Sequence, residues 1–176
     1  MEKIVAEYQI INTTRSDLPF IYWMFDEAAG YQLKNNYPVL KDFDKNGLME
    51  DVQLSRQYKI LIDDQIACIF SVCYSDEIFW REKEKNDAVY LHRIVVNPNY
   101  KGQKQFQKIL DWAIQHAKEK GRRFIRLDTW ANNPNIIAYY LSFGFKWIED
   151  YTTPDTEELP ASHRNLSLAL LEMKIK

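Results

Sequence analysis

The residues best suited to chemistry in this chain sit in two short stretches. Lys101, Lys104 and Lys108 cluster where a strand-like run, Ile94-Val95-Val96, turns into a long amphipathic segment. A helix start leaves backbone N–H groups unpaired and carries the positive end of the helix dipole, so it suits a phosphate. Cations there are otherwise unfavourable for the helix, and anion binding accounts for them. The competing reading is an ordinary strand–helix turn with surface lysines. His92 stands two residues before Ile94, hence on the same strand face by period-two alternation. An unperturbed pKa of about 6.5 equips it as a base near neutrality, against the plainer role of a hydrogen-bonded sheet histidine. Arg93 is expected on the opposite face in a structural role, and His116 and His163, without supporting context, at the surface.

The 2 cysteines, Cys68 and Cys73, form neither a disulfide framework nor a metal-ligand cluster. Odd spacing on one strand puts them on opposite sheet faces. The chain has 176 residues, 46% of them hydrophobic and 14% aromatic, which suits one domain over 1–176 and excludes disorder as its main state. With 23 basic and 25 acidic side chains the formal charge is -2, so the overall basic field of a dedicated nucleic-acid binder is missing. A mean hydropathy of -0.46 without long apolar runs argues against a membrane span. The N-terminus does not resemble a signal peptide, so a soluble cytoplasmic protein, monomer or homodimer, is expected.

These groups must be positioned by elements that periodicity makes legible. A first strand is expected over 4–13, and a helix starting at Ser16-Asp17-Leu18-Pro19 with Gly30 as its stop. Residues 35–47 read as a loop or short helix, with Pro38 and Gly47 as breakers, and 48–56 as a turn or two of helix. Two β-rich runs, 58–62 and 65–74, joined by Asp63-Asp64, read as a hairpin. The charged run 81–87 reads as a solvated loop, and 88–96 as a strand. Phe106, Ile109, Leu110, Ala113, Ile114 and Ala117 form one apolar stripe of a helix over 103–120, with Gly121 beyond it. Strands over 124–129, 145–151 and 166–175 and a short helix over 134–143 complete the pattern. The fold class expected is α/β, a mixed and mostly antiparallel sheet of about 6–7 strands flanked by helices.

Within this pattern, Val96-x-Pro98-x-Tyr100-Lys101-Gly102-Gln103 resembles the first signature of the GNAT superfamily of N-acetyltransferases. Asn133-Pro134-Asn135-Ile136-Ile137-Ala138-Tyr139-Tyr140-Leu141-Ser142-Phe143-Gly144-Phe145 resembles its second. The resemblance implies acetyl-CoA as acetyl donor. Ile94, Val95 and Val96 would hold its pantetheine arm, and Lys101, Gly102, Gln103, Lys104, Gln105 and Phe106 its phosphates. It also implies contact from Asn133, which by itself reads as a helix cap before Pro134. His92 stands where some relatives carry a base, and Tyr140 aligns with the general acid that protonates the departing thiolate. Tyr140 also lies at i+4 from Ile136 and i+3 from Ile137, a packing position. Lys104 and Phe106 replace small residues of the family's phosphate loop.

The function expected from this resemblance is direct acetyl transfer from acetyl-CoA to a primary amine of a small molecule or peptide. The altered loop keeps a non-catalytic CoA- or ligand-binding module as the alternative. For the acceptor, Trp23, Trp80 and Trp130 are candidates to line a cleft. The acidic segment 149–158 would favour a cationic amine or be simply solvated.

Overall fold

The computed structural model describes residues 7–37 and 43–176. The strands are β1 (Tyr8–Asn12), β2 (Gln57–Ile62), β3 (Gln65–Cys73), β4 (Ala88–Val96), β5 (Phe124–Trp130), β6 (Lys146–Thr152) and β7 (Ser167–Lys174). They form one seven-stranded sheet in the order β1-β2-β3-β4-β5-β7-β6. Only the β4–β5 pair is parallel, so the expected sheet is the observed one. The start of the first expected strand and residues 38–42 of the expected loop lie outside the described residues.

The helices are α1 (Leu18–Lys34), α2 (Lys45–Gln53), α3 (Glu77–Trp80), α4 (Gln105–Glu119) and α5 (Pro134–Leu141). The chain enters α1 through a capping box in which the Thr14 amide donates to Asp17 Oδ2 at 2.7 Å. α1 runs past Gly30, which was expected to end it. Nothing approaches the position of the missing side chain, and an exposed helical glycine costs only about 1 kcal/mol. Gly47 likewise sits inside α2, whose cap Asp44 accepts from the Gly47 amide at 2.9 Å. The expected hairpin is present, with Asp63 and Asp64 both left-handed (φ 49 and 61), the turn geometry that matches strand twist.

α4 and α5 cover one face of the sheet. Phe106, Ile109, Leu110, Ala113 and Ala117 pack there with Ile137 against Val89, Leu91, Ile125, Leu127, Ala169 and Leu171. On the other face, Ile21 and Met24 of α1 and Leu48 of α2 meet Ile69 and Val95. Beside them Phe79 and Trp80 of α3 meet Ala88, Tyr90, Leu168 and Leu170. Each large aliphatic side chain buried in this way contributes about 1.5–3 kcal/mol before entropy is subtracted. The run 81–87 is not a plain solvated loop. Arg81 pairs with Glu149 and lies 3.6 Å from the Tyr151 ring centre, while Glu84 accepts from the Asp76 amide at 2.9 Å. The segment thereby ties α3 to β6.

Two irregularities in β4 shape everything that follows. Its pairing with β5 lasts three residues, Ala88↔Phe124, Val89↔Ile125 and Tyr90↔Arg126, after which the strands separate. On its other edge a bulge sets two residues of β4, Arg93 and Ile94, against one of β3, Phe70, between Ile69↔Val95 and Ser71↔His92, with Arg93 at φ 49. The extra residue reverses the alternation. His92 therefore shares a face with Val95 and Tyr90, not with Ile94, which packs on the α4 side. Arg93 has the structural role expected, but on the face that α2 covers. It reaches Asp51 at 2.9 Å and Asp44 at 3.5 Å.

Candidate active site

A cavity of about 670 Å³ opens where β4 and β5 part. It passes through the plane of the sheet, because no strand fills the gap between them. Ile94, Leu127 and Tyr140 line it from the α4–α5 side, and His92, Asp128, His163 and Leu168 from the other. The β4 edge over 91–96 faces the gap without a strand partner there, so its amides and carbonyls can pair with an extended, amide-bearing ligand.

The turn after β4 is closed by Asn97, which accepts from the Asn99 amide at 3.1 Å and donates to the Ile66 carbonyl at 2.8 Å. Gly102 (φ 74) and Lys104 (φ 55) then take left-handed conformations, a backbone pattern that turns successive N–H groups toward one point. Lys104 is the N-cap of α4, and no side chain caps that helix. The first-turn amides are therefore open to an anion. Lys108 braces the loop by donating to the Gln103 carbonyl at 2.9 Å and Gln105 Oε1 at 3.2 Å. Lys101 Nζ sits 3.7 Å from the Tyr31 ring centre.

Of the residues named from sequence, Ile94, Val95, Val96, Lys101, Asn133 and Tyr140 line the cavity together with His92. Gly102, Gln103 and Lys104 are exposed on the adjoining loop. Gln105 and Phe106 turn their side chains into the core, Phe106 lying edge-on to Tyr140 and Phe143 at 4.9 Å each, so only their backbone can meet a ligand. The two departures from the family loop are thus accommodated: Lys104 adopts the left-handed backbone that a glycine would supply, and Phe106 fills the core. Asn133 caps α5, accepting from the Ile136 amide at 3.2 Å. Of the three tryptophans, Trp130 lines the cavity, Trp80 is fully buried and Trp23 is exposed.

His92 is held by contact with Cys73, its Nε2 3.0 Å from the Cys73 Sγ, and by Tyr90, whose ring lies parallel to it. Burial first, then Arg93 and His163, lowers its pKa to about 4, so the imidazole is neutral at pH 7. Burial also raises the Tyr140 phenol well above its ordinary range, with Tyr139, Cys68 and Asp128 adding to the effect, and it stays protonated. His116 is not a plain surface residue. It stacks on Trp112 at 4.5 Å and bonds the Tyr74 hydroxyl at 2.8 Å.

Three residues of the site escaped the sequence reading. His163, expected at the surface, lines the cavity edge-on to Phe79, with Nδ1 buried and unpartnered among the described residues. Asp128 and Asp76 come together with His92, one polar atom of each lying within 4.8 Å of the others. Asp128 was visible in principle. Ile125 and Leu127 mark one face of β5, and a carboxylate at 128 falls on the other, past the point where β5 stops pairing with β4. Asp76 and His163 come from irregular segments that carry no periodic signal. No helix among the described residues is long and apolar enough to cross a membrane.

A parallel strand pair split at its C-terminal ends, a β4 bulge and an uncapped helix start surround the cavity, and comparison with known proteins shows which family has this fold. The acetyltransferase (GNAT) family matches residues 58–145, and the chain belongs to that family. It is 24% identical over 116 residues to the uncharacterized N-acetyltransferase YesJ of Bacillus subtilis, covering 62% of this chain and 63% of the relative. It is 32% identical over 63 residues to the uncharacterized N-acetyltransferase MJ1207 of Methanocaldococcus jannaschii, covering 36% of this chain and 28% of the relative. The chain thus spans less than two thirds of either relative's length.

Among solved structures, a GNAT-family acetyltransferase from Listeria monocytogenes superposes with a TM-score of 0.74 at 17% identity, over 96% of this chain and 95% of the other. The yncA protein of Salmonella typhimurium, solved with its cofactor acetyl-CoA, gives 0.65 at 13% identity, over 96% and 94%.

Proposed function

We propose that this protein is an acetyl-CoA-dependent N-acetyltransferase that moves an acetyl group directly to a primary amine of a small molecule or peptide. The observation that carries the proposal is the cavity through the sheet, which offers groups for the donor on one side and for the acceptor on the other. The donor supplies an activated thioester. The free β4 edge at Ile94, Val95 and Val96 supports its amide-bearing arm, with Asn133 at the cavity wall. Lys101, Gly102, Gln103 and Lys104, with the backbone amides of Gln105 and Phe106, supply the donors and charge for its phosphates. Tyr140, neutral and on the donor side, is the acid for the departing thiolate. His92 is the base candidate on the acceptor side, and its neutral imidazole is the form that can receive a proton or hydrogen bond. Cys68 and Cys73 are both free, which suits the reducing cytoplasm proposed as the compartment.

The test is calorimetric titration with acetyl-CoA, followed by release of free CoA thiol across a panel of primary amines. Binding and amine-dependent release are expected. Absence of binding at millimolar acetyl-CoA would overturn the proposal, and binding without turnover of any amine would favour the non-catalytic module.

A further inference from the structure

Resting on that reading for its effect on catalysis, we infer that His92, Asp76 and Asp128 form a site for one divalent transition-metal ion of the zinc type, and that the bound ion blocks the acceptor side of the cavity. The three side chains come from separate elements: His92 from β4, Asp128 from β5 beyond its last residue paired with β4, and Asp76 from the cap of α3. All three are half-buried, and one ligand atom of each lies within 4.8 Å of the others. On a tetrahedral ion, bonds of about 2.0–2.2 Å place neighbouring donors about 3.3 Å apart, so a shift of about 1 Å in each side chain completes the contacts. Asp76 uses Oδ1 to accept from the Phe79 amide at 3.1 Å and leaves Oδ2 buried without a partner. Asp128 makes no hydrogen bond or ion pair among the described residues. The Nε2 of His92 meets Cys73 Sγ at 3.0 Å, and its Nδ1 has no hydrogen bond among the described residues. One ring nitrogen can therefore bind an ion while the other keeps an outer contact, as metal-bound imidazoles do.

The nearby guanidinium groups do not neutralise this cluster. Arg93 is committed to Asp51 and Asp44, and Arg126 to Glu172 and the Lys83 carbonyl. Two neighbouring carboxylates without a counter-cation are poorly satisfied in a cavity, and a divalent ion supplies the missing charge to both. Asp26 and Glu27 of α1 and Asp44 add negative charge to the cavity wall, favouring entry of a cation. One imidazole with two carboxylates selects a borderline ion such as Zn²⁺ over Mg²⁺ or Ca²⁺, which prefer shells made of oxygen alone. Three protein ligands leave a fourth position for water. His163 lines the same cavity with a buried, unpartnered Nδ1, near enough for its charge to act on His92, and is a further nitrogen donor for that position. An ion held by His92 occupies the lone pair that the acceptor's nitrogen would meet. Tyr140 and the 101–106 loop, on the donor side, stay open. The ion therefore competes with the amine and not with acetyl-CoA.

The test titrates Zn²⁺ calorimetrically into the full chain after treatment with EDTA and dialysis. Wild type is compared with His92→Gln, Asp76→Asn and Asp128→Asn, and His116→Ala controls for imidazole binding elsewhere. Asparagine keeps the α3 cap at 76 and the side-chain shape at 128, and thermal melts verify that each variant folds. One Zn²⁺ per chain is expected at micromolar affinity, undisturbed by millimolar Mg²⁺. Each substitution in the cluster should weaken it at least about tenfold, and His116→Ala should not. Co²⁺ in place of Zn²⁺ should show the visible absorption of a four-coordinate ion, lost in Asp128→Asn. For an amine found by the panel, CoA is measured chromatographically because its thiol binds zinc. Zn²⁺ should then raise the KM for the amine and leave the KM for acetyl-CoA unchanged. Absence of Zn²⁺ binding at sub-millimolar free ion, or binding unaltered in Asp76→Asn and Asp128→Asn, would overturn the site. Inhibition competitive with acetyl-CoA would overturn its assigned effect. If acetyl-CoA does not bind, the proposed function fails, and the Zn²⁺ titration still decides whether the site exists.

Discussion

His92 and Cys73 approach to 3.0 Å across the β3–β4 pair, yet they form a neutral couple. Burial holds the imidazole near 4, and burial with Asp76 raises the thiol to about 12. A nucleophilic cysteine needs the thiolate, so this pair does not offer a covalent acyl-cysteine route. Cys73→Ala is expected to keep kcat/KM within about threefold of wild type, and alkylation of the native thiol by iodoacetamide at pH 7.5 should be slow relative to a free thiol. Acetylated Cys73 in a donor-only incubation would contradict direct transfer.

Tyr140 packs edge-on against Phe106 at 4.9 Å while its ring borders the cavity. Tyr140→Phe keeps that packing and removes the proton donor. We expect kcat to fall about 10- to 100-fold with acetyl-CoA affinity nearly unchanged, read by stopped thiol-release assays beside calorimetry. Equal loss of affinity and stability would instead mark it as a packing residue.

The elevated carboxyl of Asp128 makes a stability prediction with a definite sign. Its folded pKa, about 7, lies above the unfolded value of about 3.9, so the folded state binds more protons between those limits. That contribution is therefore present at low pH and lost as pH rises toward 7. Asp128→Asn removes the dependence: the variant's melting temperature relative to wild type should increase steadily from pH 4 to pH 8. A difference independent of pH would mean that Asp128 is ordinary in acidity.

Arg93 supports the bulge by pairing with Asp51, whose carboxyl burial raises despite the guanidinium beside it. Removing the cation strands a largely buried acid. Arg93→Met is expected to destabilise the fold by about 2 kcal/mol, measured by urea unfolding at pH 7, and by progressively less as the pH is lowered and Asp51 gains its proton.

Lys104 holds a left-handed backbone at the start of α4. If the loop amides carry anion binding, Lys104→Gly should leave acetyl-CoA affinity within about threefold while making its salt dependence shallower. Strain relief of about 1 kcal/mol offsets the added flexibility of glycine, so the melting temperature should change little.

Much of this architecture follows from local chemistry that a sequence displays directly. The α4 stripe from Phe106 to Ala117, the Asp63-Asp64 turn and the Asn133-Pro134 helix start each depend on residues close in the chain, and each is found as expected. The ends of α1 and α2 were misjudged, because whether Gly30 or Gly47 interrupts a helix depends on what surrounds it, not on glycine alone.

The sequence by itself determined the family, the mixed sheet, and the neighbourhood of His92, Tyr140 and the 101–106 loop, since motifs and periodicity are written in consecutive residues. Only the tertiary structure decided which faces meet. The single extra residue at Arg93 turns His92 away from Ile94, and a three-residue parallel pairing opens the sheet. The approach of Asp76, Asp128 and His163 joins segments whose separation along the chain leaves no local pattern. Acidity follows the same division. A side chain's intrinsic pKa belongs to its type, but the burial and neighbours that neutralise His92 and raise Asp128 exist only once the chain has folded.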